Sequence, residues 1–340
     1  MTAHPLSVLI AALSLAIAAA PAPAADPAML GLPAVAYPAG NPATPEKIAL
    51  GRKLFFDARL SANGTMACAT CHDPAQGFTT NGSPTHAGND SFPLKRNAPT
   101  IANVAFEPAL LWNGAMPSLE ALAWGPILSA DEMANPSAPA VIDRVAALPD
   151  YAGLFQRAFA GKGPDKETLA QAIAAFERTV VSGGSRFDRW WFGGDESAVN
   201  AEERRGALLF MFRAGCAQCH KIDQGHALFT DGKYHDIGAG AAKSPPDPGR
   251  QEVTGEEADR GKFRTPTLRN IALTAPYMHD GSLATLEDAV DFYDRGGGAS
   301  PNKAEWIFPL GLSPTDKRAL AAFLKTLTGA NADALARIAP

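Results

Sequence analysis

The chain has 340 residues, 46% of them hydrophobic and 19% charged, with a formal net charge of −5. That length suits two domains of ordinary size, each with apolar material for its own core. The acidic balance argues against nucleic-acid binding and weakly favours a basic protein partner. In chain order, residues 6–20 form an uncharged apolar run, and Pro21 to Ala25 follow as a small-residue segment. This pattern predicts a secretory leader, residues 1–25, cleaved near Ala24 or Ala25; the run is short for a membrane span. Met1 to His4 carry no Lys or Arg, so an uncleaved N-terminal anchor is the alternative. The mature protein is expected to be exported to the periplasm, with no stable membrane insertion.

Residues 26–43 are rich in Pro, Ala and Gly and read as an extended entry segment. A helix is expected from Thr44, with Thr44 as N-cap, Pro45 at the first helical position and Glu46 at the positive end of the dipole. Its apolar face is Ile48, Leu50, Leu54 and Phe55. The pentapeptide Cys68-Ala69-Thr70-Cys71-His72 follows, and a helix from Asp165 to Val181 closes the first half, with Leu169, Ile173, Phe176 and Val180 at helical spacing. A boundary is expected near Ser182-Gly183-Gly184. Phe187 to Gly194 would link the halves, with Trp190 and Trp191 packed. A helix from Asn200, with Leu208, Leu209, Phe210 and Phe212 on its apolar side, leads past Gly215 into Cys216-Ala217-Gln218-Cys219-His220. A last helix, Pro314 to Leu327, carries Leu320, Phe323, Leu324 and Leu327. The order of helix, pentapeptide, long irregular segment and closing helix therefore occurs twice. It predicts a mainly α fold: two cytochrome-c-like helical haem domains, 26–184 and 185–340, from an internal duplication, with long irregular loops.

The two C-x-x-C-H pentapeptides use all four cysteines of the chain. This is the attachment pattern of c-type haem: the thiols form thioethers to the vinyl groups, and the adjacent His becomes an axial iron ligand. Disulfides, a redox dithiol or a zinc site would leave unexplained why His follows the second Cys both times. Cys68, Cys71, Cys216 and Cys219 are thus the covalent anchors of two haem c groups, and His72 and His220 the iron ligands. Two haems in one exported chain define either an electron carrier, with both irons permanently six-coordinate, or a redox enzyme with one openable position.

Further motifs carry a family resemblance: Arg96-Asn97-Ala98-Pro99-Thr100, Trp112-Asn113-Gly114, Gly125-Pro126 leading to Asp131-Glu132-Met133, Thr265-Pro266-Thr267-Leu268-Arg269-Asn270, Thr274-Ala275-Pro276-Tyr277-Met278-His279-Asp280-Gly281, and Thr285-Leu286-Glu287. In this order, over about residues 44–328, the chain resembles the bacterial dihaem cytochrome c peroxidases and their methylamine-utilisation (MauG-type) relatives. The resemblance implies that His72 and His220 are the proximal ligands and that Glu132 is the distal acid/base beside the N-terminal haem, moving a proton between the peroxide oxygens. It implies that Trp112 stands between the haems, and that Asn97, Thr274 and Pro276 hold an interdomain calcium ion through oxygen ligands.

Three positions separate the subfamilies. The sixth ligand of the C-terminal haem matches Tyr293, as in the MauG type, where conventional peroxidases have Met. A phenolate favours ferric and higher oxidation states. Met278 is the rival ligand by residue type. The distal His of conventional peroxidases falls on Asn89, with His86 the nearby substitute, and the distal Gln position falls on Leu122. His235 and His279 are expected to make structural or haem-propionate contacts. The resemblance implies a dihaem peroxidase that reduces hydrogen peroxide to water with electrons from a small cytochrome c or cupredoxin. The alternative is a MauG-like enzyme that uses the oxidising equivalents on a partner protein's side chain. An electron-carrier cytochrome is the alternative of another class.

Overall fold

A computed structural model of the chain describes residues 26–80, 82–88 and 93–340. The expected leader and Asn89 lie outside the described residues. The fold is mainly helical; the sheet among the described residues is one antiparallel pair, Tyr234–His235 against Phe263–Arg264. No helix among the described residues is long and apolar enough to cross a membrane.

Each half is built on one crossing of two helices. In the first, Pro45–Phe55 starts at Thr44, whose hydroxyl accepts from the Lys47 amide at 3.2 Å, and packs on Lys166–Glu177. In the second, Ala201–Leu208 starts at Asn200, which exchanges capping hydrogen bonds with Glu203, and packs on Pro314–Lys325. The crossings coincide in detail. A β-carbon at Gly51 would overlap the carbonyl oxygen of Ala172, and one at Gly206 that of Ala319. Glycine is what lets the backbones approach so closely. Beside these contacts Phe55 meets Phe176 with ring centroids 5.1 Å apart at 55°, and Phe210 meets Phe323 with the same separation and angle.

The duplication extends into the irregular segments. The Thr100 hydroxyl donates to the Gly77 carbonyl and that of Thr267 to Leu228, both at 2.7 Å. Asn103 and Asn270 both take left-handed backbone. The Asn103 amide donates to the Val180 carbonyl and that of Asn270 to the Leu327 carbonyl; their side-chain oxygens accept from the amides of Ser182 and Gly329, each at 2.8 Å. From Pro99 to Glu120 the first half matches Pro266 to Glu287 without a gap, so Trp112 stands opposite His279 and Gly114 opposite Gly281 in the repeat.

Two expectations are corrected. The closing helices stop short, at Glu177 rather than Val181 and at Lys325 rather than Leu327. The backbone turns there and offers a carbonyl two or three residues on, Val180 or Leu327, to the asparagine just described. Leu208 and Phe212 are 54% and 74% exposed, whereas Leu209 and Phe210 are buried. After Leu208 the helix widens into one π-type turn, Leu209–Arg213, which breaks the regular apolar stripe.

Candidate haem sites and the ground between them

Both pentapeptides form short helical turns, Cys68–Cys71 and Cys216–Gln218. None of the four cysteines is joined to another, and all are partly accessible. In each half the following histidine is fixed by its inner nitrogen. His72 Nδ1 donates to the carbonyl of Phe78 at 3.1 Å, and His220 Nδ1 to that of Phe229 at 2.8 Å. Both phenylalanines have positive φ, 59° and 53°, which turns their carbonyls toward the rings. An imidazole that donates through Nδ1 presents Nε2 with a free lone pair, and burial holds both histidines below the ordinary imidazole range, in the neutral form that binds metal. Cysteines not joined to one another beside an oriented neutral imidazole, twice, fit two covalently attached haems.

The surroundings of the two motifs differ. Glu132 lies on the turn after helix Trp124–Leu128, its amide bonded to the Ser129 carbonyl at 3.1 Å, and its charge bears on Cys71 and Cys68. Burial holds its carboxyl above the usual carboxylate range, against a hydrogen bond from Ser129, and Asp131 pushes the same way. Glu177 bears on Cys68, and burial pushes its carboxyl up to about 8 despite the neighbouring Arg178. His86 stands at the foot of a bridged loop: its carbonyl accepts from Leu94 at 2.9 Å, and Gly88 lies against the Asp131 carbonyl. Gly88 therefore rests on the Asp131–Glu132 turn. In the second half Tyr293, near the end of helix Leu286–Asp294, feels Cys216 and Cys219, and burial raises its phenol further.

Between the motifs the halves interlock. Trp112 donates through Nε1 to the Asn97 carbonyl at 2.8 Å and meets His279 edge to face at 6.5 Å. His279, 3% exposed, stacks on Phe263 at 3.7 Å. His279 thus packs between Trp112 and Phe263 at this junction. Arg96 bridges to Asp247 at 2.7 Å and Glu252 at 2.6 Å, and the Arg264 amide donates to the Trp112 carbonyl at 2.8 Å. Arg264 and Glu107 form a buried ion pair across the same junction. The side-chain nitrogen of Asn97 donates to the Pro84 carbonyl at 3.0 Å; its Oδ1 and the carbonyls of Thr274 and Pro276 accept no hydrogen bond among the described residues. Uncommitted oxygens of this kind suit a hard cation such as calcium.

Sequence reasoning did not single out Phe78, Phe229, Asp231, Glu177 or Phe263. The ungapped match of Pro99-Thr100 to Pro266-Thr267 was the signal that would have aligned the halves and exposed where they differ.

Two oriented haem-binding motifs on duplicated helical domains define a dihaem c-type cytochrome. A family model described as di-haem cytochrome c peroxidase matches residues 45–197, and one described as cytochrome c matches 204–328. The methylamine utilization protein MauG of Methylorubrum extorquens is 44% identical over 86% of this chain and 81% of its own length. The cytochrome-c peroxidase IdrP1 of Pseudomonas sp. strain SCT is 38% identical over 95% and 92%. The crystal structure of a MauG-like protein associated with microbial copper homeostasis superposes with a TM-score of 0.79 at 36% identity, over 89% of this chain and 95% of that one. The chain belongs to the dihaem cytochrome c peroxidase and MauG family, oxidoreductases acting on peroxide.

Proposed function

We infer that the first half is the peroxide site and the second half the electron store, in a periplasmic enzyme that reduces hydrogen peroxide to water with electrons from a small cytochrome c or cupredoxin. The observation that carries this reading is Glu132: a carboxyl beside the first haem motif whose affinity for a proton is raised by burial, as a group that accepts a proton and passes it on requires. When bound, haem iron supplies the atom at which peroxide coordinates and its O–O bond is cleaved. Glu132 takes the proton from the near oxygen and returns it to the far one. The repeat offers no counterpart of Tyr293 on this side. Continuing the register of Glu120 and Glu287 without a gap sets Pro126, which has no ligating atom, where the second half has Tyr293. Leu122 in place of the distal Gln leaves Glu132 as the proton carrier of this pocket.

Trp112 is the bridge between the haems. Its N–H is held by a backbone carbonyl, which is too weak a base to remove the proton, so Trp112 can lose and regain an electron without a proton being stranded. Asn97, Thr274 and Pro276 would hold calcium beside it, and Asn97 ties that site to Trp112 through its own carbonyl. Tyr293, buried near Cys216 and Cys219, would supply a further ligand to the iron of the second haem. Met278 stands at the repeat position of Leu111, a positive-φ corner in both halves, which speaks against ligation. Export is supported by the apolar leader and by the attachment of c-type haem outside the cytoplasm.

Tyr293 also favours a second reading, a MauG-like enzyme that passes oxidising equivalents to Trp or Tyr of a partner protein. Stopped-flow absorbance of the all-ferric protein with one equivalent of peroxide separates the two. Immediate change at both haems identifies the MauG-like enzyme. Change only after one haem is pre-reduced identifies the conventional peroxidase, with His86 closing the iron; His86→Ala then removes the need for reduction. No change in either state overturns both readings and leaves an electron carrier.

A further inference from the structure

The two proximal segments follow the same path and then diverge at one position. After Phe78 and Phe229 come Thr79 and Thr230, whose hydroxyls donate to the carbonyls of Ala98 and Thr265. The next residues are Thr80 and Asp231. The Thr80 hydroxyl is buried without a hydrogen-bond partner among the described residues. The Asp231 carboxylate, 7% exposed, accepts from His235 Nε2 at 2.8 Å and from the Lys233 amide at 2.9 Å. Ligand atoms of Asp231, His235 and Cys219 all lie within 4.8 Å of one another. Trp306 closes the cluster, edge-on to His235 at 5.6 Å and in contact with Cys219.

An acid, an imidazole and a thiol this close have the make-up of a metal site. Cys219, however, is committed to the haem thioether, and two remaining ligands do not make a site. What is left is a fixed carboxylate a few ångströms from the thioether sulfur and close enough to bear on His220. Burial works to raise this carboxyl, but the His235 hydrogen bond and the Lys233 amide outweigh it and hold the group below the usual range, as an anion. The carboxyls beside the first motif, Glu132 and Glu177, are pushed the other way.

We propose that Asp231 is a positioning residue that lowers the reduction potential of the second haem, its buried charge favouring the ferric state, and that Thr80 leaves the first haem without this bias. A fixed charge in a low-dielectric shell acts on the iron through space, as outer-shell groups do at other metal centres. His235 holds the carboxylate in place, and Trp306 limits water around the pair. The proposal rests on haem attachment at Cys216, Cys219 and His220, and is independent of the reaction proposed above.

The test is a redox titration of the holoprotein in which the ferric signal of each haem is followed separately by electron paramagnetic resonance. It is run at about pH 8.5, well above the ordinary imidazole range of about 6.5. Asp231→Asn and Asp231→Thr are expected to shift the second couple to higher potential and leave the first in place, while Asp231→Glu stays near the parent. Asp231→Thr introduces the residue that the same backbone path already holds in the first half, which guards against misfolding. An unmoved second couple in Asp231→Thr with both haems attached overturns the proposal, as does an equal shift of both couples.

Discussion

The two halves share a scaffold down to individual hydrogen bonds, yet they set the charge around their haems in opposite ways. The first half places Glu132 and Glu177 by its motif and lets burial push both carboxyls toward the protonated form. The second half has Leu324 at the place of Glu177, and its motif-side acid, Asp231, is held as an anion by His235. One half is equipped to handle protons, the other to hold a charge constant. A duplicated fold thus acquires two electrostatic settings through a few carboxyl environments, while the proximal geometry stays fixed by Phe78 and Phe229.

The largest effect that would sharpen this contrast is at Glu132. Glu132→Gln is expected to slow peroxide turnover by about 10²–10⁴-fold with both haems still attached, measured by steady-state kinetics; turnover at the parent rate would remove the first half's claim to proton chemistry. Next is the buried pair Arg269–Asp188, at 2.8 Å and essentially unexposed, which also ties down the Gly31 carbonyl. The matching residue in the first half is Ala102, so the second half carries this liability alone. Arg269→Ala is expected to cost about 3–5 kcal/mol by leaving a buried carboxylate unpaired, read from denaturant unfolding.

The crossings offer a smaller and symmetric test. Gly51→Ala and Gly206→Ala should each cost about 1–3 kcal/mol through overpacking against a carbonyl that cannot retreat. Thermal melts that cost only one variant stability would show that the halves are not equivalent there. A further effect concerns pH. The folded pKa of Glu177, about 8, lies above its unfolded value of about 4.3, so the folded chain holds this proton more tightly. The stability it contributes is full below the unfolded pKa and is lost as the pH rises through 8. Glu177→Leu, copying Leu324, is expected to flatten that decline in melting temperature between pH 5 and 8.

Much of this was legible in the sequence because covalent chemistry and helix capping act over a few residues. The two pentapeptides, Thr44 and Asn200 are local signals and stand where they were expected. Glu132, Trp112 and Tyr293 carried no local signal and were reached through the family motifs; the structure sets Glu132 by the first motif, Tyr293 by the second and Trp112 at the junction. The helix ends were missed because Asn103 and Asn270, distant in sequence, capture the carbonyls that would have continued them. Phe212 was misassigned because a π turn shifts the register without altering composition. Asp231 was invisible because a lone carboxylate in a loop has no period; its meaning depends on His235 and on a comparison with Thr80.

The contact between Trp112 and His279 joins equivalent positions of the repeat. Two copies of one surface can touch at the same position only on a two-fold axis, as in an isologous dimer. The chain therefore carries the equivalent of a dimer axis inside itself, and Trp112 and His279 meet on it. In a true dimer both sides of that contact must be the same residue. Fusion into one polypeptide lifts that restriction, so one side can be an indole suited to passing electrons and the other an imidazole that braces it.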